Sequence, residues 1–273
     1  MKSRIVSACN CPTELIATCL DGITTPLVQS LPSFVKDTNH MFRIADSFRF
    51  PGTSNYVFTM DVKSLYTVIP NGDGLLALTH FLNKRPVLQP PTHTLVYLAE
   101  LVLTLNTFSF NGKFYRQTRG VAMGSRLGPN YACLFMGHVE EQIFVQYTGT
   151  KPALYKRYIN DIVDATSGSR EEIKDFATYF KIFHPSLNFT RTISDVQLPF
   201  LHLCLKPISD RLLTRIHYKE NDTHSYLNYT CCKNSIPYSQ FLHLWHICSE
   251  SKEMSSFFQN RDYPSNVIQR VQE

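Results

Sequence analysis

The stretch Tyr155-Lys156-Arg157-Tyr158-Ile159-Asn160-Asp161-Ile162-Val163 constrains this chain more than any other. Tyr155, Tyr158, Ile159, Ile162 and Val163 favour strands, whereas Asn160-Asp161 suits a tight two-residue turn. The reading is a short β-hairpin with a carboxylate at its tip, where paired strands hold a side chain more firmly than a loop does. On its own, Asn-Asp between apolar residues is ordinary turn chemistry.

A second acidic residue changes that reading. Tyr56-Val57-Phe58-Thr59-Met60-Asp61 is a strand-like run ending on Asp61, and the polar stretch after it can begin a turn. Two carboxylates brought together from separate strands repel, and each resists ionising without a cation nearby. Magnesium resolves the conflict, since it prefers oxygen ligands and keeps room for water and substrate phosphates. Two such ions can activate an attacking hydroxyl and stabilise the leaving oxygen of a nucleotidyl transfer.

Three blocks now stand in order: Met60-Asp61-Val62-Lys63-Ser64-Leu65-Tyr66-Thr67, Gln117-Thr118-Arg119-Gly120-Val121-Ala122-Met123-Gly124-Ser125 and Arg157-Tyr158-Ile159-Asn160-Asp161-Ile162. In order and separation they resemble motifs A, B and C of a reverse transcriptase palm, most closely that of Penelope-like retroelements. Flanking similarity runs from about Ile5 to Leu242. The resemblance implies an α+β fold, an antiparallel sheet with packed helices. Partial fingers would occupy 1–50, the palm 51–205, and a primer grip with a partial thumb or connection region 206–273. It also implies an RNA-directed DNA polymerase using two magnesium ions, an RNA template, a DNA primer and deoxynucleoside triphosphates.

The family's pattern falls on particular residues. Asp61 and Asp161 would hold metal. Asn160 stands where the family has the first aspartate of Tyr-x-Asp-Asp, and an amide brings no negative charge to a site for two dications. The expectation is a polymerase impaired at Asn160; the alternative is an inactive remnant that still binds nucleic acid. Tyr66 falls where the family places an aromatic gate against the ribose 2′-hydroxyl. Lys63 and Ser64 would meet the triphosphate, and Gln117 and Gly120 the nucleotide. Arg119 would contact nucleic-acid phosphate, Gly124 would let the backbone approach the template, and Lys156 and Arg157 would lie along the primer, with Arg4 and Lys219 as further nucleic-acid contacts. The sequence departs from the family at Ser3, where a phosphate-binding arginine is usual, and at Phe200-Leu201-His202, where Phe-Leu-Asp is usual. With no upstream fingers and no GIY-YIG endonuclease after Glu273, the expectation is a truncated copy.

Composition adds bounds. The 273 residues suffice for one large domain or two subdomains with a real core. A net charge of +5 and a pI near 8.7 fit nucleic-acid binding without requiring it. The eight cysteines form no disulfide framework and lack metal-ligand spacing, which suggests thiols in a reducing compartment. The first residues carry no signal-peptide core, and Leu95 to Leu105, interrupted by Glu100, reads as a buried helix rather than a membrane span. An intracellular protein, nuclear or cytoplasmic, is expected.

Periodicity predicts a helix from Thr13 to about Val28, interrupted near Gly22, and a second from a Ser33 cap toward Phe48. Helices are expected over about 72–82 and 92–106, with an Asn-Gly hairpin over 108–115. A further helix should open at Pro129, and Ser169-Arg170-Glu171-Glu172 is a capping box for one reaching Phe183. Strand-like runs at 196–205 and 211–219 follow, then mostly helix from Pro237.

Overall fold

A computed structural model describes residues 11–217, together with Gln259 and Ser265. Arg4, Lys219 and the helical reading from Pro237 lie outside the described stretch. In chain order the elements are α1 (Glu14–Gln29), α2 (Thr38–Ser47), β1 (Asn55–Val62), α3 (Leu65–Val68), α4 (Asn71–Leu82), α5 (Thr92–Thr104), β2 (Thr107–Phe110), β3 (Lys113–Arg116) and α6 (Gly128–Gln146). They continue with β4 (Leu154–Tyr158), β5 (Asp161–Ser167), α7 (Arg170–Phe183), β6 (Phe189–Ser194), β7 (Leu198–Phe200), β8 (Leu203–Ile208) and β9 (Arg211–Ile216).

The order is mixed α+β, and the main sheet runs β4-β5-β1-β6 with each neighbouring pair antiparallel. Because side chains alternate along a strand, β1 serves two cores. Phe58, Met60 and Val62 enter the larger core with α1, α4, α5, α6 and α7, while Val57 enters a smaller one formed with α2 and β7 to β9. Thr59 and Asp61 share the face of Val57. The sheet is therefore covered by helices on one side and only partly covered on the other, and Asp61 lies at the open end of that second side.

Local chemistry explains most elements. Ser169 Oγ accepts from the Glu172 backbone N–H while Glu172 reaches back to the Ser169 N–H, so both halves of the capping box form at α7. Asn111 and Gly112 both have positive φ, as a two-residue turn between right-twisted strands requires, and β2 pairs with β3 around them. Within α5, Leu95, Ala99, Val102 and Leu103 are buried. Among the described residues no helix is long and apolar enough to cross a membrane. Cys11, Cys19, Cys133 and Cys204 are free thiols.

Several expectations are corrected. The acidic hairpin turns at Ile159-Asn160 and closes on the pair Tyr158 and Asp161, so Asp161 begins β5 instead of sitting in the turn. Ile159 there has φ 55°, a costly conformation for a β-branched residue. α1 runs unbroken through Gly22 and contains Pro26. The cap of α2 is Asp37, which accepts from the His40 N–H at 2.8 Å; Ser33 is buried and bonds Glu140 instead. The run 196–205 is two strands folded about Leu201-His202, with Leu201 at φ 55°. One sheet was expected, but the described strands form three. β6 was not foreseen, because Phe-Thr-Arg-Thr-Ile-Ser lacks the apolar density of a central strand and works as an edge.

Candidate active site

Antiparallel pairing of β1 with β5 sets Asp61 directly opposite Asp161. Directly opposed residues project from the same face of the sheet, so both carboxylates border one opening. The Val62 N–H donates to the Asn160 carbonyl at 3.0 Å, fastening the hairpin turn beside the end of β1. From that turn the Asn160 side chain reaches across: Nδ2 donates to Asp61 Oδ1 at 2.6 Å and lies 3.4 Å from Asp161 Oδ1. The amide is oriented by its acceptors, with its donor side toward both carboxylates.

Asp61 and Asp161 border a cleft of about 420 Å³ lined also by Thr59, Thr190, Thr192, Phe200 and His202. Thr190 pairs with Asp61 and Thr192 with Thr59 across β1 and β6, which places the two hydroxyl side chains on the aspartate face. Sequence reasoning missed both threonines. The signal available was the Thr-x-Thr alternation within 189–194, readable only once a strand had been assigned there.

By donor chemistry, Asp61 and Asp161 fit a magnesium ion, being hard oxygen ligands on rigid strand ends. Asn160 as oriented does not add a ligand, because an N–H faces where a cation would draw an oxygen.

The segment after β1 bends sharply. Ser64 has φ 55°, and its carbonyl accepts from Thr67. Lys63 and Ser64 are exposed, and the Lys63 N–H donates to the Asn188 carbonyl. Tyr66, on α3, is half-buried with its ring beside Gly128 at the start of α6. Burial pushes its hydroxyl up to about 12, with Cys133 and Tyr158 adding smaller contributions.

The second block is stitched to this bend. Val121 N–H donates to the Tyr66 carbonyl at 2.8 Å, and Gly120 N–H to Asn71 Oδ1 at 3.0 Å. Gly120 has φ 75°, and a Cβ there would lie 2.3 Å from the Tyr66 carbonyl oxygen and 2.7 Å from Thr67 Cα, so only glycine allows the approach. Arg119 is exposed and donates through Nε and Nη2 to the Val68 carbonyl. Gln117 is held by Asn106 and by the Arg119 carbonyl. Gly124, at φ 94°, is exposed.

Lys156 and Arg157 part company. Lys156 Nζ donates to the Pro32 carbonyl, and burial lowers its pKa. Arg157, expected along the primer, is instead 2% exposed and cannot reach nucleic acid. Its Nε donates to Glu140 Oε1 at 2.5 Å, Nη2 to Glu140 Oε2 and the Cys133 carbonyl, and Nη1 to the Ile159 carbonyl. Burial opposes the guanidinium charge, but Glu140 more than offsets it and raises the Arg157 pKa. The guanidinium thus props the strained hairpin turn from beneath.

No family model matches the chain, and no curated protein matches its sequence. Solved structures do match its fold. Apo telomerase from Candida tropicalis superposes with a TM-score of 0.59, at 12% identity over 86% of this chain and 44% of that one. Telomerase from Candida albicans in complex with a fragment of telomeric RNA gives 0.56, at 9% identity over 91% and 48%. The RNA-dependent RNA polymerase of a human picobirnavirus gives 0.55, at 14% identity over 75% and 39%. The chain spans less than half the length of each of these proteins. It carries the palm-type fold that reverse transcriptases share with RNA-dependent RNA polymerases.

Proposed function

We propose that the chain is the palm-containing part of a reverse transcriptase related to Penelope-like retroelements, acting as an RNA-directed DNA polymerase weakened at Asn160. The observation that carries this reading is the placement of Asp61 opposite Asp161 with the Asn160 amide between them. Asp61 and Asp161 would hold magnesium, which when bound lowers the barrier for a primer hydroxyl to attack an α-phosphate. The protein's own part is positioning. Thr59, Thr190 and Thr192 line the cleft beside the aspartates. Gly120 keeps the second block close to the Tyr66 backbone, and the Tyr66 ring would exclude a 2′-hydroxyl. Exposed Lys63 and Arg119 would meet phosphates. In this reading 1–50 belongs to the fingers and 206–273 to the primer grip and thumb.

An inactive nucleic-acid-binding role is the second reading, favoured by the same amide, which supplies the aspartates with hydrogen-bond donors and reduces their need for a cation. Primer extension on a primed RNA template, with magnesium and then manganese, separates the two. The polymerase reading expects weak extension that rises by orders of magnitude in Asn160→Asp and vanishes in Asp61→Asn. Salt-sensitive binding without extension by any of these proteins overturns it in favour of the second.

A further inference from the structure

On the helical side of the molecule, His80 of α4 and His138 and Glu141 of α6 bring three metal-ligating atoms within 4.8 Å of one another. His138 and Glu141 are three residues apart on one helix, a spacing that puts both on the same face. His80 Nε2 lies 2.7 Å from Glu141 Oε2, and the two imidazole rings are 4.7 Å apart between centroids. Lys84 Nζ holds the other carboxylate oxygen, Oε1, at 2.9 Å. His138 Nε2 pairs with Gln142 at 2.9 Å, and its Nδ1 is a buried nitrogen with no hydrogen-bond partner among the described residues. A buried ring nitrogen left unpaired beside a second imidazole and a carboxylate is costly as it stands and is satisfied by a cation.

We propose that His80, His138 and Glu141 form a binding site for a divalent transition metal of the zinc class, clamping α4 to α6. Two imidazoles and one carboxylate are a common zinc ligand set that leaves a fourth position for water. Imidazole nitrogen selects zinc, cobalt, nickel or copper over magnesium, which prefers an all-oxygen shell. The site is therefore chemically distinct from the aspartate cleft, and its existence does not depend on polymerase activity. At zinc–ligand distances of about 2.0–2.2 Å, tetrahedral neighbours sit roughly 3.3 Å apart. The His80–Glu141 contact must open slightly and His138 close in, both by side-chain rotation. Lys84, bonded mainly to Oε1, orients the carboxylate with Oε2 toward His80, as an outer partner of a metal ligand does. His80 lies nine residues along α4 from Asn71, which bonds Gly120 of the second block, so roughly 13 Å of helix separates the two ends.

The test uses the whole chain, stripped with a chelator and titrated with zinc chloride, with cobalt chloride as a visible-absorbing probe and magnesium chloride as control. Zinc should bind at one equivalent and raise the unfolding temperature, magnesium should not produce that shift through this site, and cobalt should give the visible bands of a nitrogen- and oxygen-ligated ion. His138→Gln and Glu141→Gln should each lower zinc affinity by more than the roughly 10–100-fold that loss of an outer partner costs. His80→Gln should do the same. Zinc affinity equal in wild type and all three variants overturns the site. So does a cobalt spectrum dominated by thiolate charge transfer, which would assign the metal to cysteines, or a wild-type protein that zinc leaves unaltered.

Discussion

The side-chain amide of Asn160 donates to the Asp61 carboxylate at 2.6 Å while Asp61 and Asp161 face each other across β1 and β5. An N–H group thus lies between the two carboxylates. The hydrogen bonds relieve like-charge repulsion between the two carboxylates.

Asn160→Asp tests this exchange through stability as well as catalysis. In chelator, the variant loses a hydrogen bond to a charged group, worth roughly 1.5–3 kcal/mol, and gains a third carboxylate. Its unfolding temperature should fall below that of wild type. Magnesium should restore the variant and shift wild type much less, since only the variant offers three anionic ligands. Thermal unfolding with and without magnesium reads both effects. Equal magnesium responses would mean that the amide does not stand in for a cation.

Gly120→Ala should disrupt the junction between the first two blocks. The new Cβ meets backbone of Tyr66 and Thr67, not a flexible side chain, and φ is 75°. Left-handed strain and overpacking together should cost roughly 2–5 kcal/mol by urea unfolding. Gly22→Ala is the control. It lies within α1 with nothing within 4 Å of its Cβ position, so it should gain about 0.5–1 kcal/mol. A Gly120→Ala protein as stable as wild type would show that this close approach is dispensable.

How far the molecule could be read from its residues depended on how local each cause was. Ser169-x-x-Glu172 and Asn111-Gly112 act over a few residues, and both motifs formed as their chemistry dictates. The facing of Asp61 and Asp161 was legible because strand propensity and an acidic end marked each strand independently. What could not be read was set by long-range partners. Arg157 has the sequence appearance of a surface cation, but Glu140, seventeen residues earlier, takes it into the core. Ser33 reads as a helix cap until the same glutamate claims its hydroxyl. The His80, His138 and Glu141 cluster combines one helix with another across 58 residues, and no local spacing announces it.

Breaking the Arg157–Glu140 pair from one side should be severe. Arg157→Met leaves Glu140 buried with only Tyr155 and Ser33 as side-chain donors among the described residues, and removing one partner of a buried pair costs about 3–5 kcal/mol. Glu140→Leu alone strands the guanidinium similarly. The double variant should be less destabilised than the sum of the singles, since neither charge remains. It still loses the Arg157 bond to the Ile159 carbonyl, so the hairpin turn should loosen, visible as faster amide exchange around Asn160. Strict additivity in denaturant unfolding would argue that the pair is not a coupled unit.

Asp164 provides a pH dependence with a definite sign. It lies on β5 opposite Tyr155 and Phe58, fully buried, and neither carboxylate oxygen has a hydrogen-bond partner among the described residues. Burial, reinforced by the Glu140 carboxylate, raises its pKa well above the ordinary aspartate value. The folded protein therefore retains this proton at pH values where the unfolded chain has released it. The stabilisation linked to that proton is complete below about pH 4, where unfolded aspartate titrates, and is lost as pH rises through the raised folded pKa. Asparagine keeps the shape and cannot ionise, so Asp164→Asn should gain stability relative to wild type as pH increases, by at most about 1.4 kcal/mol per pH unit. Urea unfolding of both proteins from pH 5 to pH 9 measures the difference directly. A difference that stays flat across the range would mean Asp164 titrates alike in the folded and unfolded chains, and a difference that narrows would mean that its ionised form is the one the fold favours.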